Sequence, residues 1–156
     1  MEDLSLHILD IVENSINARA KNVEIKVEEN VENDLLTIEI TDDGKGMSKE
    51  MQEKALDPFF TTRTTRNVGL GLPLFAQAAR TSGGDIKIEA RPGGGTKIKA
   101  TFGYSNIDRQ PLGDINDTLK VLIVSHPEIN FIYKYKKGNE NYFLDTRNGQ
   151  KKGVEI

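Results

Sequence analysis

A short run of acidic and glycine residues has the types and spacing to do chemistry. Residues 42–47 read Asp-Asp-Gly-Lys-Gly-Met and follow alternating apolar residues at 36–40. That alternation predicts a half-buried strand that ends in the carboxylate of Asp42. Gly44 and Gly46 leave the backbone behind it open, because they carry no side chain. A carboxylate in such a place could accept a hydrogen bond from the amino group of an adenine base.

A second polar pair, Asp10 and Asn14, is spaced by one turn of a predicted helix. The asparagine carbonyl is a hard oxygen ligand that Mg²⁺ accepts beside phosphate oxygens and water. A carboxylate one turn away could orient or deprotonate a nucleophile at a γ-phosphate. Each pattern alone has a simpler interpretation, because Asp-Gly after a strand is commonly a turn and polar residues on a helix commonly form a solvated face.

Backbone amides for an anion are offered by Gly69, Leu70, Gly71 and Leu72 at the start of another predicted helix. The dinucleotide fingerprint is excluded, because Leu74 stands where its third glycine or alanine belongs. A P-loop is excluded as well, since the chain has no Gly-Lys-Ser/Thr sequence.

Two arginines and one threonine complete the candidate set. Arg63 and Arg66 lie in a polar segment, residues 57–68, that predicts a mobile loop able to fold over a triphosphate. Thr96 follows three glycines at 93–95, and its hydroxyl could face a base. By themselves these are also the features of a solvated surface loop and an ordinary hairpin turn.

The elements that must position these residues follow from hydrophobic periodicity. Helices are predicted over residues 3–19, 48–56, 69–79 and 114–124, and strands over 23–27, 36–42, 85–90, 96–102, 131–136 and 141–146. The order of the first seven helices and strands predicts an α+β fold, a two-layer sandwich with helices packed on one face of a mixed β-sheet. The last helix and the hairpin form a C-terminal extension.

Composition limits the classes of function. The 156 residues suit one domain with an appendage, and the absence of cysteine excludes disulfides and thiolate metal sites. No apolar run is long enough to span a membrane, and residues 1–20 carry acids and amides, so we expect a cytoplasmic protein without a signal peptide. The net charge of −3 comes from interspersed charges, which predicts neither nucleic-acid nor membrane partners.

Together, these motifs resemble those of the GHKL, or Bergerat-fold, ATPase superfamily, which includes DNA gyrase, MutL, heat-shock chaperones and sensor histidine kinases. Residues 10–18 resemble its N-box, 42–46 and 69–72 its two glycine boxes, and 93–96 its final glycine-and-threonine segment. Residues 57–63, Asp-Pro-Phe-Phe-Thr-Thr-Arg, are similar to the phenylalanine box of histidine kinase catalytic domains, so the resemblance to these domains is closest.

The resemblance implies ATP and Mg²⁺ as ligands and a role for each matching residue. Asn14 would bind magnesium, Asp42 would accept the adenine amino group, and Arg63 would reach the γ-phosphate. The residues implied to bind ATP are Asn14, Asn17, Asp42, Gly44, Gly46, Arg63, Arg66, Gly69, Leu70, Gly71, Leu72 and Thr96. We expect residues 1–104 to form the ATP-binding domain, 105–146 the extension packed on it, and 147–156 a polar tail.

Three features depart from the family pattern. Asp10, the candidate catalytic residue, stands where hydrolysing members carry a glutamate base and histidine kinases an asparagine, so its carboxylate has one methylene less reach. Asn17 stands where many sensor kinases have a phosphate-binding lysine. The N-box begins almost at Met1, so we expect the dimerising hairpin with its phospho-acceptor histidine to be absent. We expect His7 to wall or pack the site rather than replace that acceptor.

Several functions remain open at this stage. The chain could transfer the γ-phosphoryl of ATP in trans to a histidine or serine of a separate protein, it could be an ATP-gated protein-interaction module, or it could be a slow ATPase. The aromatic stripe of Phe131, Tyr133 and Tyr135 could dock another chain or cover the first domain's own sheet edge, and a homo-oligomer stays open. DNA work like that of gyrase or MutL is disfavoured, because the sequence shows neither a transducer domain nor a basic surface.

Overall fold

The computed structural model of this chain describes residues 3–57, 71–148 and 154–155. In chain order its elements are α1 (Leu4–Asn17), β1 (Asn22–Asn30), β2 (Leu35–Asp42), α2 (Lys49–Lys54), α3 (Gly71–Thr81), β3 (Ile86–Ala90), β4 (Thr96–Gly103), α4 (Ile115–Ser125), β5 (Asn130–Lys137), β6 (Glu140–Asp145), a 3₁₀ turn (Thr146–Asn148) and β7 (Val154–Glu155). Within these residues, no helix is long and apolar enough to cross a membrane.

The strands form one mixed sheet in the order β3-β4-β2-β1-β5-β6-β7. Neighbouring strands are antiparallel except β1 and β5, which run parallel. The register of β2 against β4 places Asp42 opposite Thr96, so two predicted site residues meet at one end of adjacent strands. The predicted α+β sandwich with a mixed sheet is confirmed.

Helix α1 is amphipathic and forms the centre of the helix layer. Its side chains Leu4, Ile8, Ile11 and Val12 recur at helical spacing and are buried against the sheet. Asp3 caps its first turn by accepting a hydrogen bond from the Leu6 amide. Helix α1 also contacts α3 and α4. It therefore fixes the positions of these two helices relative to its own polar residues.

The predicted C-terminal helix and hairpin are present as α4, β5 and β6. Asp114 caps α4, and Phe131 and Tyr133 of β5 are buried in the core. Because β5 pairs with β1, the aromatic stripe covers the edge of the chain's own sheet. Two residues of the predicted polar tail, Val154 and Glu155, add β7 to β6. The sheet runs through both predicted domains, so the boundaries at 104 and 146 stay predictions.

Candidate functional site

A cavity of about 130 Å³ lies where α1, β2, β4 and the start of α3 meet. Its walls combine apolar side chains with a small number of polar ones, which is typical of a site for a small molecule. The cavity is lined by Ile11, Asn14, Ser15, Asn17, Ala18, Asp42, Lys45, Gly46, Met47, Met51, Leu72, Thr96 and Ile98.

Asp42 is the fixed acceptor of this cavity. Its side chain is 9% exposed, and its two carboxylate oxygens accept hydrogen bonds from Ser15 Oγ at 2.6 Å and from the Gly44 amide at 2.8 Å. A carboxylate has about four lone-pair sites, so both oxygens keep acceptor capacity after these bonds. Thr96, opposite Asp42 in the sheet, is also buried and adds a hydroxyl. This end of the cavity therefore offers a rigid acceptor to an amino group.

The glycines after Asp42 are required by close backbone packing. A Cβ on Gly44 would lie 2.8 Å from the Ala18 carbonyl oxygen. Gly46 has a φ of +71°, and a Cβ there would lie 1.9 Å from the Arg91 carbonyl oxygen. In addition, the Lys45 amide donates to the Ala18 carbonyl oxygen at 2.9 Å. The turn is thus held between the end of α1 and the β3–β4 connection.

Asp43, next to the fixed acceptor, has a different environment. Its carboxylate accepts hydrogen bonds from the amides of Lys21 and Asn22 and from the Asn22 side chain, at 2.7 to 2.9 Å. Partial burial opposes its ionisation, but the hydrogen bonds outweigh burial and hold the pKa of the Asp43 carboxyl below its usual 3.8. Asp43 therefore tethers the turn to β1, whereas Asp42 faces the cavity.

The opposite end of the cavity is formed where α1 meets the start of α3. The Asn14 amide nitrogen is buried and has no hydrogen-bond partner within the described residues. A Cβ on Gly71 would lie 3.8 Å from this nitrogen and 3.2 Å from the Asp10 Cβ. An unsatisfied buried amide costs roughly 1–3 kcal/mol, so the Asn14 side chain fits a role in holding a polar ligand. Asp10 itself is exposed, one helical turn before Asn14.

An asparagine oxygen beside phosphates is a chemically suitable donor for Mg²⁺. The Asn14 side chain therefore has the donor chemistry that the predicted ion requires, and its role as a ligand stays a prediction. Among the residues that the structure describes, no group of three or more His, Asp or Glu side chains is arranged to hold a metal.

Most of the predicted site residues meet in one place. Asn14, Asn17, Asp42, Gly46, Leu72 and Thr96 line the cavity. Gly44, Gly71 and Asp10 lie beside these lining residues. Arg63, Arg66, Gly69 and Leu70 lie outside the described residues, together with nearly all of the predicted loop 57–68.

His7 lies in the core rather than in the cavity wall. It is buried, its ring centroid is 5.7 Å from that of Phe75, and its Nε2 lies 3.0 Å from Gln110 Oε1. These contacts agree with the packing alternative for His7.

Several cavity residues were missed from the sequence, although signals for them exist. Ser15 lies on the buried stripe of α1, where a hydroxyl needs an acceptor. Ile98 follows Thr96 by two positions and so shares its face of β4. Met47 comes directly before Ser48, the N-cap of α2, and Met51 lies in the first turn of that helix, so both are placed at one helix start.

Comparisons with known proteins agree with this geometry. Residues 2–106 match the family model described as histidine kinase-, DNA gyrase B-, and HSP90-like ATPase. The signal transduction histidine-protein kinase ArlS of Staphylococcus aureus is 34% identical over 99 residues, which is 60% of this chain and 22% of that protein. The chain thus spans about a fifth of the length of this relative.

Two solved structures share the fold. The N-terminal domain of a DNA repair protein superposes with a TM-score of 0.63 at 19% identity, covering 94% of this chain and 53% of that one. The Aquifex aeolicus MutL ATPase domain complexed with ADP gives a TM-score of 0.52 at 16% identity, covering 87% of this chain and 60% of that one. At such identities the likeness concerns the fold alone.

Proposed function

The chain belongs to the histidine kinase-, DNA gyrase B- and HSP90-like ATPase family, and from this membership we propose that it binds Mg²⁺–ATP in the cavity bounded by Asn14, Asp42 and Thr96 and transfers the γ-phosphoryl group to a histidine or serine of a separate protein. The observation that carries the proposal is the pairing of a fixed buried acceptor, Asp42, with an unsatisfied buried amide, Asn14, on one cavity.

The adenine base is held at the Asp42 end. The Asp42 carboxylate accepts the exocyclic amino group, and the Thr96 hydroxyl supports the same edge of the base. The apolar side chains of Met47, Met51 and Ile98 line the cavity and contact the ring faces. Because Ser15 and Gly44 already fix the carboxylate, binding requires little side-chain ordering.

The phosphates are held at the Asn14 end. Magnesium bound through Asn14 supplies positive charge that offsets the negative charge of the phosphate oxygens. Helix α3 begins at Gly71, beside α1. The backbone amides of Gly71 and Leu72 at this helix N-terminus bind the negatively charged phosphates. Asn17 lines the same cavity and offers a neutral hydrogen-bonding group to the phosphates. On the basis of the family resemblance, we also propose phosphate contacts from Gly69, Leu70, Arg63 and Arg66.

Asp10 is the proposed catalytic residue. Its exposed carboxylate lies one turn from Asn14 and against Gly71, at the place where the γ-phosphate end of the nucleotide would emerge. There it would accept the proton of an acceptor side chain, or orient that side chain for in-line attack. Most of the catalysis then comes from positioning and charge neutralisation.

A second candidate is an ATPase in the manner of MutL, in which Asp10 orients water. The specific observation that favours it is the share of the chain in the fold comparison. The alignment with the Aquifex aeolicus MutL ATPase domain covers 87% of the chain, whereas the family match over residues 2–106 covers about two thirds of it. That likeness therefore extends into the C-terminal extension, beyond the part shared with histidine kinases. ATP-gated protein interaction is compatible with either reaction.

The experiment that tests the proposal follows labelled γ-phosphate from Mg²⁺–ATP in wild type, Asp10→Asn and Asp42→Asn. Label on a protein of a cell extract that depends on Asp10 and Asp42 would support the kinase. Acid-labile label would indicate histidine, and acid-stable label would indicate serine. Free phosphate released without extract, at a rate lost in Asp10→Asn, would support the ATPase instead. Wild-type protein that neither binds nor turns over ATP would contradict both.

A further inference from the structure

A second and larger cavity, of about 810 Å³, lies on the other side of β1 from the nucleotide site. It is formed between the β5–β6 hairpin and the segment that leads into α4. The described residues that line the two cavities have no member in common. Its volume is within the roughly 300–1,000 Å³ that is usual for ligand sites.

Three tyrosines, Tyr133, Tyr135 and Tyr142, give this cavity aromatic walls. The rings of Tyr133 and Tyr142 have centroids 5.7 Å apart and are inclined at 57° to each other, so they form two sides of a corner. Aromatic ring faces carry partial negative charge and attract cations within about 6 Å of the centroid. Because Tyr133 is buried, the aromatic surface open to a cationic group comes mainly from Tyr135 and Tyr142, which are half-buried.

Among the described residues that line this cavity, the charged ones are all acidic, and Lys137 of β5 stands opposite both Glu29 and Glu140 in the sheet. The carboxylates of the cavity belong to Glu29, Asp114 and Glu140, and no lysine, arginine or histidine is among the described lining residues. Asp114 also caps α4 by accepting a hydrogen bond from the Asp117 amide, so the helix start offsets part of its charge. Glu29 accepts a hydrogen bond from the Tyr135 hydroxyl. Glu140 is exposed at the rim.

One neutral polar group at this cavity is the hydroxyl of Tyr133, a residue that lines the cavity and is only 4% exposed. Burial, together with the proximity of Tyr142 and Glu29, raises the pKa of Tyr133 above its usual value, so its hydroxyl stays neutral. A neutral phenol oxygen can accept a hydrogen bond from an ammonium or guanidinium group.

We propose that this cavity, which we call the tyrosine cavity, is a binding site for an organic cation, an alkylammonium or guanidinium group held between the tyrosine rings and the carboxylates of Glu29 and Glu140. The cation could be the lysine or arginine side chain of a protein or a free polyamine, and both have the same chemistry. The site is separate from the nucleotide site and does not depend on the proposed phosphoryl transfer.

The test is a titration of the ¹⁵N-labelled 156-residue chain, followed by amide chemical shifts. The probes are acetyl-Gly-Arg-Gly-amide, acetyl-Gly-Lys-Gly-amide and spermidine, and acetyl-Gly-Gln-Gly-amide is the neutral control. We expect the cationic probes to shift amides of residues 112–116 and 133–142. Stronger binding of a peptide would assign the cation to a protein side chain, and stronger binding of spermidine would assign it to a polyamine.

Variants make the test specific. Glu140→Gln should weaken binding of the cationic probes about two- to fivefold. Tyr142→Leu should weaken their binding about three- to thirtyfold. Glu89→Gln is the matched control, because it removes the same charge from β3, five strand positions or about 24 Å away, and it should change nothing. Glu140 is exposed, so Glu140→Gln is expected to fold even if Tyr142→Leu does not.

Three results would overturn the proposal: no shifts at 10 mM cationic probe, equal binding of the neutral peptide, or equal weakening by Glu89→Gln and Glu140→Gln. Affinity for an ATP analogue is measured on the same samples. We expect Glu140→Gln to leave that affinity unchanged, so failure of the tyrosine cavity is distinguishable from failure of the nucleotide site.

Discussion

Replacing Asp42 by asparagine tests the nucleotide site with a change of very few atoms. The substitution exchanges one carboxylate oxygen for an NH₂ group and removes the charge from a side chain that is 9% exposed. Both contacts of the side chain can persist, because the amide oxygen still accepts from the Gly44 amide and the new NH₂ donates to the Ser15 hydroxyl, which turns from donor to acceptor. The amide that remains offers the nucleotide a weaker, uncharged acceptor.

The magnitude follows from the hydrogen bond that is lost. A hydrogen bond to a charged group is worth about 1.5–3 kcal/mol, and 1.4 kcal/mol corresponds to a factor of ten in Kd. We therefore expect Asp42→Asn to weaken ATP binding by roughly 10- to 150-fold. GTP presents an oxygen where ATP has its amino group, so the wild type should reject GTP. The asparagine NH₂ can donate to that oxygen, and the preference for ATP over GTP should shrink in the variant.

The assay is titration calorimetry with non-hydrolysable ATP and GTP analogues and Mg²⁺. The matched control is Asp43→Asn, which removes the same charge one residue away. Asp43 bonds to Lys21 and Asn22 rather than facing the cavity, so Asp43→Asn should lower the free energy of unfolding by about 1 kcal/mol and change the ATP affinity less than twofold.

Two outcomes would refute the reasoning. Folded Asp42→Asn that binds ATP within threefold of the wild type would remove Asp42 from the adenine site. If Asp43→Asn weakens ATP binding as much as Asp42→Asn does, the loss of affinity comes from a changed shape of the turn and not from the loss of the acceptor.

Three further predictions address the parts that support this acceptor. Ser15→Ala removes the 2.6 Å hydrogen bond that orients it, so calorimetry should show roughly three- to tenfold weaker ATP binding; unchanged affinity would contradict an orienting role. Gly46→Ala places a methyl group 1.9 Å from a backbone oxygen, whereas Gly93→Ala, at a similar φ of +74°, meets nothing within 4 Å. Thermal unfolding should therefore show a much larger loss of stability for Gly46→Ala than for Gly93→Ala, and equal losses would contradict the packing. The pKa of Asp43 is lower in the folded than in the unfolded chain, so its stabilisation is present above about pH 4 and lost as pH falls through the folded pKa. In urea unfolding, the gap between wild type and Asp43→Asn should shrink below pH 4, and a constant gap would contradict this linkage.

Local patterns were enough to predict most of the helices and strands. The predicted strand over 36–42 and the predicted helix over 114–124 correspond to β2 and α4 with ends that differ by one residue. Both are strongly periodic, and both are bounded by polar capping or turn residues. That Asp42 and Thr96 lie in one site could also be predicted, because both residues belong to motifs of the family.

Two features were beyond such patterns. Asp42 was selected as the acceptor from the sequence, but the tether that Asp43 makes to Lys21 and Asn22 was not predicted, because no motif pairs these segments. The tyrosine cavity was not predicted either, since its walls come from β1, β5, β6 and the start of α4. The spacing of residues along the chain does not predict that these elements enclose a cavity, because the cavity depends on the pairing of strands that are distant in sequence.

The parallel pairing of β1 with β5 also has a consequence for the order of folding. Asn22 and Asn130 meet across 108 residues, whereas Asn30 and Leu35 close the β1–β2 hairpin over only five. Loop-closure entropy makes the long pairing about 2.7 kcal/mol more costly to begin. We therefore expect β2, with its terminal Asp42, to join β1 early and β5 to dock late. On the ribosome, the elements of the nucleotide cavity emerge before β5, so ATP, bound as proposed, would stabilise the chain while β1 still lacks its parallel neighbour.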